Sequence, residues 1–303
     1  MNQPILTRRR LLAATGGAVV LAACGDDSSA EPENSSAGTS ANTTNSSDGV
    51  PAPDAFLVVQ RFPNHPLFTP GRVRLPVSLA DADGNLTDGP ETLTGWIEDF
   101  NGERVADVTA IRRAVGIEVP YWEVRATLLT ALVYTMRFEG DDGFGASFEL
   151  YDETDVVSPL TGSKLQPFDT PTIDDHRGVE PYCSLTPEPC PLHELTLTDA
   201  LATGKPVIYM VGTPAHCSTG TCAPGLEFLV AEHGRVSGQI TMVHADVYAD
   251  NAATTVAPAV VALNVQYEPI IYMCDADGVI VDRLDGIWDA SELTERVDLL
   301  LAR

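Results

Sequence analysis

Hydrophobic and polar positions along this chain fall into two regimes. Between Ala55 and Tyr151, short apolar alternations recur at regular spacing: Phe56–Gln60, Val73–Leu79, Thr92–Glu98, Ile117–Arg125, Leu132–Phe138 and Ala146–Leu150. Turn signals at Asp83-Gly84, Asn101-Gly102 and Asp141 to Gly143 separate them. Side chains alternate faces along a strand, so this period-two pattern predicts an all-β domain over 55–151. Further on, the pattern changes. Val207–Val211 is an apolar, β-rich run of buried-strand length, whereas Leu226, Phe228, Leu229 and Val230 begin a helical pattern that ends before Gly234. A short helix over Leu195–Leu201 leads into that strand.

Cys217 and Cys222 lie between the strand and the helix. Five positions apart inside one helix, their Cα atoms would be roughly 8.7 Å apart and point about 140° apart, beyond disulfide reach. Cys217 is therefore expected in the loop, where Gly220 supplies backbone freedom. Pro224 is tolerable in a first helical turn, which puts Cys222 at or near the helix N-terminus. Unpaired N–H groups and the helix dipole there favour a thiolate, and a protonated His216 would add to the effect.

This strand–Cys-loop–helix unit resembles the thioredoxin-like superfamily, in the form of bacterial extracytoplasmic members with a TPxxCxxxxC loop. The resemblance extends to Thr241–Tyr248 as the next strand, to Glu268-Pro269 followed by IIYM, and to a hairpin-like DADGVIVDRLDG before a final helix. It implies an α/β fold over 158–303, a mixed central sheet flanked by helices, with Ser158 to Pro171 as an extended lead-in. It also implies a cis-proline at Pro269 beside the active cysteines. The activity implied is thiol–disulfide exchange on a protein thiol or disulfide substrate, with Cys217 attacking, Cys222 resolving and no cofactor. With four residues between the cysteines, not two, the family's chemistry does not transfer automatically. In the β domain, Ala131–Phe138 resembles the late Y-x-x-x-F strand of an immunoglobulin-like sandwich, in which the tyrosine clamps a corner. The fold expected overall is an immunoglobulin-like sandwich followed by a thioredoxin-like domain.

The first 54 residues carry a different message. Thr7-Arg8-Arg9-Arg10-Leu11-Leu12 is a basic region followed by an apolar stretch too short to span a bilayer. Leu21-Ala22-Ala23-Cys24 resembles a lipobox, implying a signal peptide over 1–24, lipidation of Cys24 and attachment to the outer face of the cell membrane. The paired arginines resemble a twin-arginine signal, with a Sec signal as the alternative. Residues 25–54 are Ser, Asn, Asp, Gly, Thr and Ala with almost no large apolar side chain, and read as a disordered linker. Eighteen basic against 43 acidic residues give a formal charge of −25, which opposes binding to nucleic acid or anionic lipid.

A proline-rich insert, Asp174 to Pro191, carries Cys183 and Cys190. A structural disulfide between them is the expectation. With His193 just beyond, they can alternatively serve as resolving thiols or as part of a soft-metal site. Without Cys24, five cysteines remain; local pairing of 183 with 190 and 217 with 222 leaves Cys274 over, as a buried thiol on a central strand. Three further readings stay open. One is a non-catalytic binding lipoprotein. Another is a thiol peroxidase, since TPAHC looks superficially like TPGC. The third is a copper chaperone resembling the Sco proteins, with Cys217, Cys222, His216 and His244 as ligands. No metal-ligand or triad spacing occurs in the β domain, which is assigned to spacing, recognition or packing.

Overall fold

The computed structural model describes residues 55–303. The expected signal peptide over 1–24 with lipidation at Cys24, and the expected linker over 25–54, lie outside the described residues. Residues 55–303 cluster within a single compact unit. Among them, no helix is long and apolar enough to cross a membrane.

The β region comprises β1 (Leu57–Gln60), β2 (Gly71–Asp81), β3 (Gly84–Asn85), β4 (Thr92–Asp99), β5 (Arg104–Arg113), β6 (Tyr121–Leu128), β7 (Val133–Phe138) and β8 (Ala146–Glu149). Its strands run β1-β2-β6-β5-β4-β7-β8, with β3 off β2. The sandwich of two separate sheets expected from the pattern is instead one antiparallel sheet rolled nearly closed. The long strand β5 makes the difference. It pairs with β4 from Arg104 to Ile111 and with β6 from Ile111 to Arg113, so it joins what would be two sheets. Its charged sequence, RVADVTAIRR, hid it from the alternation. The start of β1 approaches the β7–β8 turn, where the Asp142 N–H donates to the Phe56 carbonyl at 2.9 Å. Inside the roll, Leu75, Val77, Leu79, Ile97, Trp122, Val124 and Met136 are fully buried. The Tyr134 hydroxyl donates to the Thr130 carbonyl at 3.0 Å, tying a corner. Strand β6 begins four residues later than expected because 114–120 form a turn, with Gly116 at φ 80° and Pro120 ahead of the strand.

The second region is a mixed sheet of order β10-β9-β11-β12, built from β9 (Val207–Val211), β10 (Thr241–Ala245), β11 (Ile270–Cys274) and β12 (Ile280–Asp285). Strands β9 and β10 are parallel, while β11 is antiparallel to both β9 and β12. Helices α1 (Leu197–Leu201) and α3 (Pro258–Leu263) cover one face, and α2 (Cys222–Val236) and α4 (Ala290–Leu301) the other. Strand alternation sorts the two cores: Ile208 and Met210 meet Leu226, Leu229, Leu293 and Val297, while Val207, Tyr209 and Val211 meet Leu197, Ala200 and Leu263. Asp289 caps α4 by accepting the Glu292 N–H at 2.7 Å.

Buried charges join the two regions. Arg74 on β2 forms a bidentate pair with Glu292 on α4, at 2.6 and 2.5 Å, and both side chains are buried. The Tyr121 hydroxyl also donates to Glu292. Arg113 bridges Glu123 at 2.5 Å and Glu295 at 2.7 Å, and the Arg283 guanidinium donates to the Leu67 carbonyl at 3.1 Å. Burial works to raise the Glu292 pKa, but the Arg74 charge and hydrogen bonds outweigh it and bring the value down to about 2. Burial of such pairs adds little net stability, yet removing one partner strands a charge in the interior.

Candidate functional site

Strand β9 ends at Val211, and the chain then passes through Gly212 and Thr213 into the cysteine loop. Cys217 and Cys222 are joined by a disulfide, with Cα atoms 5.9 Å apart. Cys222 is the first residue of α2 and is fully buried; Cys217 is partly exposed in the loop. The Cys222 N–H, one of the helix's free first-turn donors, points at the Cys217 sulfur at 3.3 Å. Thr219 Oγ1 lies 3.2 Å from the same sulfur. Both donors would stabilise negative charge on Cys217 once the disulfide is opened.

The Glu268-Pro269 peptide is cis. A methyl group built on Gly212 falls 3.2 Å from Pro269 Cβ and 3.6 Å from Cys222 Cβ, so a side chain here would press on the proline and make ordinary contact with the dithiol. In the sequence, Glu268 carries no signal beyond its place before that proline. Its Oε2 accepts the Thr213 N–H at 2.5 Å and lies 3.5 Å from Cys222 Sγ. Burial raises its pKa above the usual carboxylate range, against the Thr213 hydrogen bond. A groove of about 560 Å³ opens beside the loop, walled by Ser218, Thr219 and Thr221 on one side and Tyr267 and Glu268 on another. The third wall, Gln60 to Pro63, comes from the β region.

His216 adjoins Cys217 in the loop, and its charge works to lower the Glu268 pKa. Its ring meets Tyr248 edge-on at 6.0 Å, and Nε2 is buried without a hydrogen-bond partner among the described residues. Cys274 is buried in the centre of the sheet on β11, which pushes its thiol pKa up to about 12.

A second constellation lies behind Gly212. Cys183 and Cys190 are free thiols, so the disulfide expected between them is not formed. The folded insert turns both sulfurs toward two imidazoles. Cys183 Sγ is 3.8 Å and Cys190 Sγ 3.6 Å from His244 Nδ1, and His193 Nε2 is 3.2 Å from that same nitrogen. All four side chains are buried, and their ligand atoms lie within 4.8 Å of one another. His244 therefore faces the insert cysteines, and the ligand set Cys217, Cys222, His216 and His244 is not assembled. Its Nε2–H donates to the Gly212 carbonyl at 2.8 Å, with Asp246 Oδ1 at 3.6 Å. Burial alone would lower the His244 pKa, but the hydrogen bond and charge of Cys183 raise it. Burial lifts Asp246 to about 6. Sequence spacing singled out Cys183, Cys190 and His193 together; the partnership with His244, more than 50 positions away from each of them, follows only from the fold.

No protein-family model and no curated protein matches the chain. Among solved structures, it is similar to the "C-terminal domain of putative thiol-disulfide oxidoreductase" from Bacteroides thetaiotaomicron, at 10% identity and a TM-score of 0.34, over 47% of this chain and 97% of that one.

Proposed function

We propose that this chain is a membrane-anchored extracytoplasmic thiol–disulfide oxidoreductase acting through Cys217 and Cys222. The observation that carries the reading is the asymmetry of the pair. An accessible sulfur receives a helix N-terminal N–H, while its partner is buried beside a carboxyl group with a raised pKa. In the reduced protein, the Cys217 thiolate attacks a substrate disulfide, forms a mixed disulfide and expels one substrate thiolate. Glu268 then takes the proton from the Cys222 thiol. The Cys222 sulfur attacks Cys217 Sγ, the mixed disulfide breaks, and the second substrate thiolate leaves. The substrate is reduced by two electrons and the Cys217–Cys222 disulfide is formed, the state found here. Run backwards, the same steps oxidise a substrate dithiol.

Glu268, the residue before Pro269, borders the groove in which an extended substrate segment would lie, and the wall from the β region supports a recognition role for that region. Cys24, through its lipid, would hold the protein at the outer membrane face, with the linker over 25–54 as the tether. The test uses the full chain, reduced and mixed with a small disulfide-containing protein. Cys222→Ser should accumulate a mixed disulfide through Cys217, which Cys217→Ser should not form. A wild-type protein that leaves the substrate disulfide intact would refute the proposal.

A further inference from the structure

We propose that Cys183, Cys190, His193 and His244 form a closed tetrahedral site for one zinc ion, which fastens the 174–191 insert to β10 and to the loop that carries the dithiol. The inference is independent of the exchange chemistry proposed above.

The first argument is metric. Zinc holds thiolate sulfur at about 2.3 Å and imidazole nitrogen at about 2.0–2.1 Å. At tetrahedral angles, those lengths separate a sulfur from a nitrogen by about 3.5 Å and two nitrogens by about 3.3 Å. The sulfur–nitrogen separations from His244 Nδ1 are 3.8 and 3.6 Å, and the nitrogen–nitrogen separation is 3.2 Å. Three of the six edges thus already have the lengths of a zinc tetrahedron, and all four donors lie within 4.8 Å of one another.

The second argument concerns protons. His244 Nε2 faces the Gly212 carbonyl at 2.8 Å, and His193 Nδ1 faces the Pro171 carbonyl at 3.2 Å. A carbonyl only accepts, so each of these outer nitrogens carries its ring's hydrogen. In the neutral rings, the inner nitrogens then present two lone pairs to each other, an arrangement that a proton or a metal ion between them relieves. Backbone-anchored imidazoles of this kind are the usual outer shell of metal-bound histidine. The Cys190 N–H, 3.4 Å from Cys183 Sγ, supplies a donor to a thiolate.

The third argument is chemical. Two sulfurs and two nitrogens in a tetrahedron are a zinc set, and two thiolates balance the charge of a divalent ion in a buried place. All four positions are filled by protein, which leaves none for water or substrate. The site therefore stabilises the fold; it does not catalyse. Its grip reaches the dithiol by two short links. Gly212, whose carbonyl anchors His244, turns its Cα face toward Pro269 and Cys222, where an added methyl would lie 3.2 and 3.6 Å from their Cβ atoms. Ser184, next to Cys183, donates its N–H to Asp246 at 3.0 Å and accepts the Ala215 N–H at 3.3 Å.

Elemental analysis of the full chain, purified without chelator, tests the proposal. One zinc per chain is expected. Exchange for cobalt(II) should give thiolate-to-cobalt charge transfer and the intense visible bands of a tetrahedral centre. Cys217→Ser/Cys222→Ser should retain both signals, and Cys183→Ser and His193→Gln should lose them. If either ligand variant fails to fold, the wild-type stoichiometry and cobalt spectrum decide alone. A zinc-free wild-type chain that stays spectroscopically silent with cobalt after thiol reduction would overturn the site. So would peptide mapping that joins Cys183 to Cys190 in the freshly purified protein. One equivalent of copper(I) in place of zinc would overturn the assignment of the metal.

Discussion

Glu268→Gln isolates the proton transfer that the dithiol site requires. The carboxyl oxygen lies 3.5 Å from the sulfur of Cys222, which is fully buried. An ordinary thiol with a pKa near 8.5 is about 3% thiolate at pH 7, and burial lowers that fraction further. A base within reach removes this limit, and positioned bases contribute about 10²–10⁴-fold. Glutamine keeps an oxygen for the Thr213 N–H and so preserves the loop, but it cannot take a proton. The second step, closure of Cys217–Cys222 with release of substrate, should therefore slow at least about 100-fold. The first step, attack by Cys217, should change by less than about 3-fold, since its stabilising donors are the Cys222 N–H and Thr219. Rapid-quench trapping of the mixed disulfide separates the two steps. In the wild type, closure should accelerate as pH rises through the raised pKa of Glu268, because only the carboxylate accepts the proton. That limb should vanish in the variant. An unchanged closure rate with an unchanged pH profile would refute a role for Glu268.

Three further outcomes follow from the packing. Arg74→Met leaves the buried Glu292 carboxylate without its main partner and should cost about 3–5 kcal/mol, a fall of roughly 6–20 °C in thermal midpoint; a shift under about 2 °C would contradict the ion pair's role. Because the folded pKa of Glu292 is depressed to about 2, its contribution is complete above the ordinary carboxyl value near 4.5 and is lost as pH falls from there toward 2. Urea midpoints measured across that window should drop in the wild type and flatten in Glu292→Gln. Gly225→Ala places a methyl 2.8 Å from the Trp288 ring, so overpacking should outweigh the helix-propensity gain of about 1 kcal/mol and leave α2 destabilised by up to about 2 kcal/mol in denaturant unfolding.

Local signals were legible in the sequence wherever neighbouring residues decide the outcome. The apolar run Val207–Val211 forms a strand over those same residues, and the helix begins at Cys222 because a proline two places on suits a first turn. Long-range pairings were not legible. Arg104–Arg113 carries no clean alternation, yet it is the strand that turns two half-sheets into one roll. Arg74, Arg113, Glu123 and Glu292 give no sign of burial in the sequence, because a charge shows nothing there of the partner that lets it be buried. In the sequence, His244 is only a candidate ligand beside Cys217 and Cys222, and only the folded insert brings Cys183 and Cys190 against it. Cysteine proximity in the chain suggested a disulfide there, whereas the fold leaves both thiols free and brings two imidazoles against them.

The most direct test of the proposed function is a redox titration of the full chain, with differential alkylation and peptide mapping to follow each cysteine. The account predicts that Cys217 and Cys222 interconvert between disulfide and dithiol at a potential above about −300 mV, the range of labile exchange sites. A Cys217–Cys222 bond that resists reduction below that potential would mark the disulfide as structural and contradict the account.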